Sequence, residues 1–431
     1  MAADADAPET GARLKEWKAH WPLVAASVVC FGFYTLANVT MGVFMGPLTE
    51  AFGWTRAEIT AGFAIGGVTG IFLSPFIGAL IDRFGIRPVA IPGVILTALS
   101  VASLATATGS MAQWLTIWSF YAVIVLLLKA TVWTTAVSGA FDAGRSLAMA
   151  VVLSGGAVTQ TIGPPLANYL IDAFGWRIAY VILGLGWGAV ALVCAVFFVR
   201  DANTPARKAR SVVSGARDGS APSQARPAQT VPGLSLKEAA RSMPLIRIGL
   251  STLLTMFLGI GILMHAVPIM VEAGYSREYG AYTVSLIGIS GIIGKLVTGW
   301  LMDRFNAGTV GGLTIAASGL AFMLLLERFS SAPVIVFAMV VIGYAGGTKL
   351  HICAYLTSCY AGLRNYGKIF GVMSSLIAFG GGVGPVVAGA AYDAFGSYEP
   401  FIYVAVVGTL LSASLLFGLS QRGTAPRPAD A

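Results

Sequence analysis

Three lysines stand within long apolar stretches of the sequence: Lys129, Lys295 and Lys349. A charged group at the centre of a bilayer costs at least ~2.5 to 3.5 kcal/mol, so each of these residues needs a partner or a function. The 19 Asp and Glu residues all fall outside the centres of the apolar stretches. Basic groups without a protein carboxylate to pair them either lose their charge or attract an anion. The pattern therefore predicts a binding site for a small anion.

Lys129 and Lys349 are the main candidates for contact with that anion. Each lies about nine residues from one end of its apolar stretch, which places it roughly 13 Å deep at a helical rise of 1.5 Å per residue. We expect the two lysines to face one cavity from opposite sides. The alternative is that the long side chains extend to the headgroups at the membrane surface, and this alternative has more weight for Lys295, which is nearer its helix end.

Aromatic and amide side chains in the same stretches complete the predicted substrate site. They can stack on or hydrogen-bond to an organic anion, although packing is the ordinary role of such residues. The candidates are Tyr34, Asn38, Trp133, Tyr344 and Tyr355.

His265 is the predicted proton carrier. It lies three residues before Pro268, where a proline frees a backbone carbonyl and bends the helix. With all acids placed outside the membrane core, histidine is the side chain whose ordinary pKa is closest to neutrality. A purely structural histidine is the alternative.

The composition excludes a soluble globular protein. Of 431 residues, 56% are hydrophobic and 11% charged, against about 25% charged in soluble domains. Apolar runs of membrane-spanning length predict an all-α integral membrane protein with twelve transmembrane helices. The predicted spans are 21–45, 59–80, 88–108, 112–137, 146–171, 177–199, 245–271, 279–301, 309–326, 333–358, 367–390 and 401–419.

The distribution of charge fixes the expected orientation. Twenty of the 27 Lys and Arg residues lie on the side that carries both termini and the polar middle segment, and four lie on the other side. The positive-inside rule therefore predicts cytoplasmic termini in the cytoplasmic (inner) membrane. The net charge of +8 is explained by this topology and needs no nucleic-acid partner.

The chain repeats itself at an interval of 221 residues. The segment GALIDRF, with Asp82, returns as GWLMDRF, with Asp303, and Asp172 in the fifth span returns as Asp393 in the eleventh. Two six-helix, pseudo-symmetric halves place a site between them and expose it alternately to each side. The predicted divisions are a polar tail (1–20), a first half (21–199), a linker (200–244), a second half (245–420) and a polar tail (421–431).

The segment GALIDRFGIRPV resembles the signature loop between the second and third helices of the major facilitator superfamily. The resemblance implies that fold and a conformational switch in which Asp82 faces the start of the eleventh helix, near Arg364, and interacts with its dipole. The predicted switch residues are Gly78, Asp82, Arg83, Gly85, Arg87, Asp303, Arg304 and Arg364.

Within that superfamily, two segments resemble oxalate:formate antiporters and monocarboxylate transporters. RNYGKIFG, from Arg364 to Gly371, is similar to their connection between the tenth and eleventh helices, and Lys295 stands where that branch carries a basic substrate ligand. The sequence differs from the antiporters at Met373, where they carry a lysine.

These features predict a secondary transporter of organic anions, either monocarboxylates or aromatic acids, by proton symport or anion exchange. A proton-coupled exporter of hydrophobic or cationic drugs is the first alternative, and a non-transporting membrane sensor is the second. We expect a monomer in contact with lipid, with no cofactor, no metal and no enzymatic activity.

Overall fold

The computed structural model describes residues 7–141, 144–199, 233–329, 331–362 and 365–419, and nearly all of them are helical. Within these ranges, nine helices are long and apolar enough to cross a membrane. One of the nine, Leu147–Phe198, turns back on itself at Gly175, whose φ of 80° is a conformation that glycine adopts without strain. Arg56–Phe84 and Ala307–Met323 add two further passes, so the described chain is consistent with the predicted twelve, and the all-α membrane fold is confirmed.

We number the twelve passes α1 to α12 in chain order. Their bounds are α1 Ala7–Phe52, α2 Arg56–Phe84, α3 Arg87–Thr106, α4 Met111–Val137, α5 145–174, α6 176–198, α7 Met243–Glu272, α8 Arg277–Arg304, α9 Ala307–Met323, α10 Ala332–Ala361, α11 Tyr366–Phe395 and α12 Glu399–Leu416.

Local sequence signals explain where the key helices begin. Thr55 and Glu58 form a reciprocal capping box that starts α2, and the Ser276 hydroxyl accepts the backbone N–H of Tyr279 at the start of α8. Such caps satisfy backbone N–H groups that the first helical turn leaves without partners.

Helix α1 begins well before the predicted span, at Ala7 rather than at residue 21. The early turns of this helix contact the loop between α4 and α5. The Glu16 carboxylate accepts the Gly144 backbone N–H at 2.9 Å, and the Trp17 ring packs edge-on against Phe141. This contact explains why a segment with a polar sequence continues the helix.

The first half of the protein comprises α1 to α6 and the second α7 to α12. The halves join through three helix pairs, α1 with α7, α2 with α11, and α5 with α8. We call the side that carries the connection between the halves the linker side, and the opposite one the far side. Most of the predicted linker lies outside the described residues. The chain is described again from Gly233, and the Leu234 N–H donates to the Ala361 carbonyl at 2.8 Å.

Candidate functional site

A central cleft separates the two halves and opens toward the linker side. One apolar core runs through the first half and continues into the far-side part of the second half, where it includes Met264 and Tyr398. A separate core, around Ile352 and Met373, fills the linker-side part of the second half. Because the shared core is restricted to the far side, the halves are packed together there and diverge toward the linker side.

The helix α11 shows the transition from closed to open along one face. Gly382 and Gly389 lie directly against the α2 backbone. Gly371 belongs to the same face by helical periodicity, yet it is exposed and has no heavy atom within 4 Å of the place where a Cβ would stand. We call the α2–α11 contact the first seam.

We call the α5–α8 contact the second seam. It is likewise closed toward the far side and open toward the linker side, and it places one candidate lysine on the cleft wall. Gly288 of α8 packs against Ala157 and Thr161 of α5. Lys295, two turns further toward the linker side on the same face, is exposed. Lys295 therefore fronts the cleft.

Polar contacts close the far-side ends of both seams. In the first seam, the Asp393 carboxylate accepts the backbone N–H groups of Arg56 and Ala57, each at 2.9 Å. In the second seam, the Asp172 carboxylate pairs with the Arg277 guanidinium, which also donates to the side-chain oxygen of Asn168 at 2.8 Å.

Lys129 lies at a break in α4 that the sequence did not predict. The helix tightens into a 3₁₀ turn at 125–128, Lys129 adopts an extended conformation (φ −58°, ψ 157°), and a second helical segment starts at Ala130. The side chain of Lys129 is half-buried. This arrangement combines an ammonium group with the N-terminal end of a half-helix, and both favour an anion.

Trp133 stabilises this break from within the first half. Its ring is fully buried, and its indole N–H donates to the Leu128 carbonyl at 2.8 Å, a group that the break deprives of a regular helical partner. The structure therefore places Trp133 in the packing of α4 and not on the cleft wall.

Lys349 points into the second half, toward α7. Its side chain is 8% exposed, its Nζ lies 3.5 Å from the Thr255 carbonyl, and a Cβ at Gly259 would lie 2.1 Å from that Nζ. A small cavity beside it, with room for roughly one water molecule, is lined by side chains that include Ser251, Thr252, Thr255 and Cys353. Lys349 thus lies in a separate polar pocket and does not face Lys129 across the cleft.

The remaining substrate candidates divide between the cleft and the helix interfaces. Asn38 is exposed and lies one turn from Gly42, where α1 crosses α7, so it fronts the closed end of the cleft. Tyr34 is half-buried and stacks on Phe31. Tyr344 accepts a hydrogen bond from Thr298 of α8 at 3.1 Å, and Tyr355 packs against the linker-side core.

His265 is completely buried on the far side of the second half. Its Nε2 lies 2.9 Å from the Pro385 carbonyl and its Nδ1 lies 2.8 Å from the Tyr398 hydroxyl. A carbonyl can only accept, so this network assigns the proton to Nε2 and makes Nδ1 the acceptor in neutral imidazole. The Pro385 carbonyl also accepts from Thr60 of α2, so His265 lies directly behind the first seam.

The predicted switch residues lie at the linker-side ends of α2 and α8. Gly85 ends α2 with φ 91°, which favours glycine, and Arg87 donates to the Val196 carbonyl of α6 at 2.8 Å. Arg83 and Arg304 are exposed and lie over the rings of Phe84 and Trp300. Gly78 lies within α2, whereas Arg364 and the side chains of Asp82 and Asp303 lie outside the described part of the structure.

Two groups of polar residues were not predicted from the sequence. A hydroxyl cluster next to Lys349 joins Ser251 and Thr255 to Ser412 of α12, at 2.8 and 2.6 Å. The second group is the arginine pair Arg56 and Arg277 at the far-side seams, which the 221-residue interval itself could have revealed. Within the described ranges, no cluster of His, Cys, Asp and Glu is suited to a metal ion.

Comparisons with known proteins agree with this architecture. The family model of the Major Facilitator Superfamily matches residues 25–348 and 296–430. The chain is 25% identical over 411 residues to Monocarboxylate transporter 13 of Bos taurus, covering 91% of this chain and 88% of that protein. It is also 25% identical over 396 residues to the 4-hydroxybenzoate transporter PcaK of Acinetobacter baylyi, covering 82% and 84%.

Solved structures share the fold at low sequence identity. A D-xylose-proton symporter superposes with a TM-score of 0.72 at 13% identity, covering 94% of this chain and 99% of that one. A bacterial homolog of the human lysosomal transporter Spinster, in an inward-facing and unoccupied conformation, gives 0.68 at 15% identity, covering 94% and 98%.

Proposed function

Because the chain belongs to the Major Facilitator Superfamily, we propose that it is a secondary transporter of small organic anions, monocarboxylates or aromatic acids, that works by alternating access. Relatives named for monocarboxylates and for 4-hydroxybenzoate support this substrate class, since the substrates in both names carry a single carboxylate. Two pseudo-symmetric halves around one cleft suit such a mechanism.

The observation that carries the proposal is the sign of the ionic side chains deep in the membrane-spanning helices, which is positive. Every Asp and Glu of α2 to α12 lies within one turn of a helix end, whereas Lys129, Lys295 and Lys349 lie deeper. An organic carboxylate entering the cleft supplies a negative charge at a depth where these three ionic side chains are basic. A cationic drug would instead meet basic groups only, which disfavours the export alternative.

The lysines take different roles in this proposal. Lys129, with the start of its half-helix, and Lys295, on the opposite wall, bind the carboxylate from the two halves. Asn38 at the closed end of the cleft orients the rest of the substrate. Lys349 joins them only if it leaves its pocket against Gly259, which requires a rotation of its long side chain.

We further propose that the linker side is cytoplasmic, because it carries most of the basic residues. The cleft then opens inward, in the bacterial inner membrane. Both walls of the site come from one chain, which is consistent with a functional monomer.

Proton coupling is assigned to His265 in this proposal. The histidine can take up a second proton without losing either bond, because the Tyr398 hydroxyl can turn from donor to acceptor. Exchange of one anion for another would not need this step. The two transport modes, proton symport and anion exchange, therefore make different demands on His265.

Ligand binding to the purified protein tests the proposed site. Loss of one charge-assisted hydrogen bond of ~1.5 to 3 kcal/mol weakens binding about 10- to 150-fold, which is the expected effect of Lys129→Gln and of Lys295→Gln on benzoate, lactate or oxalate. The matched control is Lys18→Gln, which removes an exposed lysine near the start of α1 and should leave affinity unchanged. Unchanged affinity in both cleft variants would contradict the assignment.

A further inference from the structure

The far-side contacts of the two seams are related by the same repeat as the two halves. Arg56 and Arg277 are 221 residues apart, as are Asp172 and Asp393. Each aspartate comes from the fifth helix of one half and contacts the start of the second helix of the other half. The repeat therefore generates two crosswise contacts between the halves.

In the first seam the aspartate bonds to the backbone. Both oxygens of Asp393 accept N–H groups from the first two residues of α2, which have no partner within their own helix. The carboxylate also faces the positive end of the α2 dipole. The close approach depends on Gly389, where a Cβ would lie 2.6 Å from the Ala57 nitrogen.

In the second seam the corresponding contact uses side chains. Asp172 pairs with Arg277, the first residue of α8. The Asn168 amide bridges the two, donating to Asp172 at 2.8 Å and accepting from Arg277 at 2.8 Å. Asn168 corresponds in the repeat to Gly389, so a bridging side chain in one seam replaces a direct backbone approach in the other.

Each seam is a pair of antiparallel helices with an aspartate at both ends. Asp82 lies at the linker-side end of α2, on the side where α11 starts, and Asp303 lies at the linker-side end of α8, on the side where α5 starts. Asp393 and Asp172 occupy the opposite ends. In alternating access the two halves rock against each other. In a state that is wide open on one side of the membrane, each seam is therefore closed only at its opposite end.

We propose that the contacts of Asp393 with the start of α2 and of Asp172 with Arg277 form a far-side latch. The latch holds the far side shut while the cleft is open to the linker side, and it must break before the far side opens. It is the counterpart of the switch expected at Asp82 and Asp303. The proposal rests on alternating access and is independent of which substrate is carried.

Distances between spin labels, measured by pulsed electron paramagnetic resonance in proteoliposomes without substrate, test the latch. The labels are attached in a background lacking the four native cysteines. Asp393→Asn is measured with labels at Ala173 and Glu278, across the second seam. Asp172→Asn is measured with labels at Glu58 and Ala394, across the first. Labelling the seam that is not mutated ensures that the readout reports movement of whole halves.

In each variant the distribution of label distances should gain a longer far-side component, and the ratio of open to closed populations should rise roughly 2- to 30-fold. The double variant should shift further. The control Glu50→Gln removes an exposed far-side carboxylate at the end of α1, a helix that belongs to neither seam, and should leave the distances unchanged. If either aspartate variant does not fold, Arg277→Gln breaks the second seam from the other side and should give the same shift.

Unchanged distances in both aspartate variants, or an equal shift in Glu50→Gln, would overturn the latch. A shift in a protein that transports no organic anion would leave the latch standing and contradict only the proposed substrate class.

Discussion

Gly389→Ala should open the far side of the protein. A Cβ at this position would lie 2.6 Å from the Ala57 nitrogen, 2.7 Å from the Arg56 carbonyl carbon and 2.9 Å from the Ala57 Cα. All three atoms belong to the backbone at the start of α2 and cannot rotate away. The helices must therefore separate by several tenths of an ångström or more, which also lengthens both bonds to Asp393.

The magnitude follows from the difference between the two states. Overpacking of a close contact costs about 1 to 3 kcal/mol, and this cost applies only while the far side is closed. The gain of ~1 kcal/mol from replacing glycine by alanine within a helix applies in both states and cancels. The equilibrium between closed and open far sides should therefore move about 5- to 150-fold toward open.

Labelling of far-side cysteines with a membrane-impermeant maleimide measures this shift. A cysteine placed at Thr60, which is buried in the first seam, should react faster in Gly389→Ala than in the parent protein. Gly381→Ala is the matched control, since it lies on the same helix and its Cβ would meet only Ile260, at 4.0 Å. Equal labelling rates in all three proteins would refute the argument that this glycine permits closure.

Three further outcomes are expected. Asp82→Asn should shift the protein toward the state open on the linker side by ~0.3 to 2 kcal/mol, seen as faster labelling of linker-side cysteines; unchanged labelling would remove its role as a switch. His265→Gln should abolish accumulation driven by a pH gradient and spare exchange of anion for anion, and surviving accumulation would exclude this histidine as the carrier. Trp133→Phe leaves the Leu128 carbonyl without its donor, so it should destabilise the protein by ~1 to 3 kcal/mol and lower the thermal midpoint, whereas an unchanged midpoint would show that this bond does not support the break in α4.

The architecture could be predicted because the signals for it are repeated many times along the chain. Apolar runs of membrane-spanning length specify the passes, and the 221-residue interval specifies how the halves correspond. Helix ends were less predictable. The contact of Glu16 with Gly144 extends α1 by two turns or more beyond the apolar run, and hydropathy carries no information about such a tertiary contact.

The site was predicted less completely, because the direction of a side chain depends on its neighbours. Hydropathy predicted the depth of Lys349 in the membrane but not the direction of its side chain. Because residue 259 is a glycine, α7 leaves a space there, and the Lys349 side chain occupies it. Similarly, the sequence alone did not indicate that α4 breaks at Lys129, since the residues around the break are apolar and include no proline. The far-side seam contacts could have been predicted, because Arg56 and Arg277 are separated by the same 221 residues as Asp172 and Asp393.

Uptake into proteoliposomes tests the central claim, transport of organic anions, most directly. Wild-type protein should accumulate radiolabelled benzoate or lactate above the level of protein-free vesicles, either under an inward pH gradient or in exchange for an internal anion. Lys129→Gln should reduce this uptake to the protein-free level. Uptake of a hydrophobic cation with no uptake of any carboxylate, in either mode, would contradict the claim.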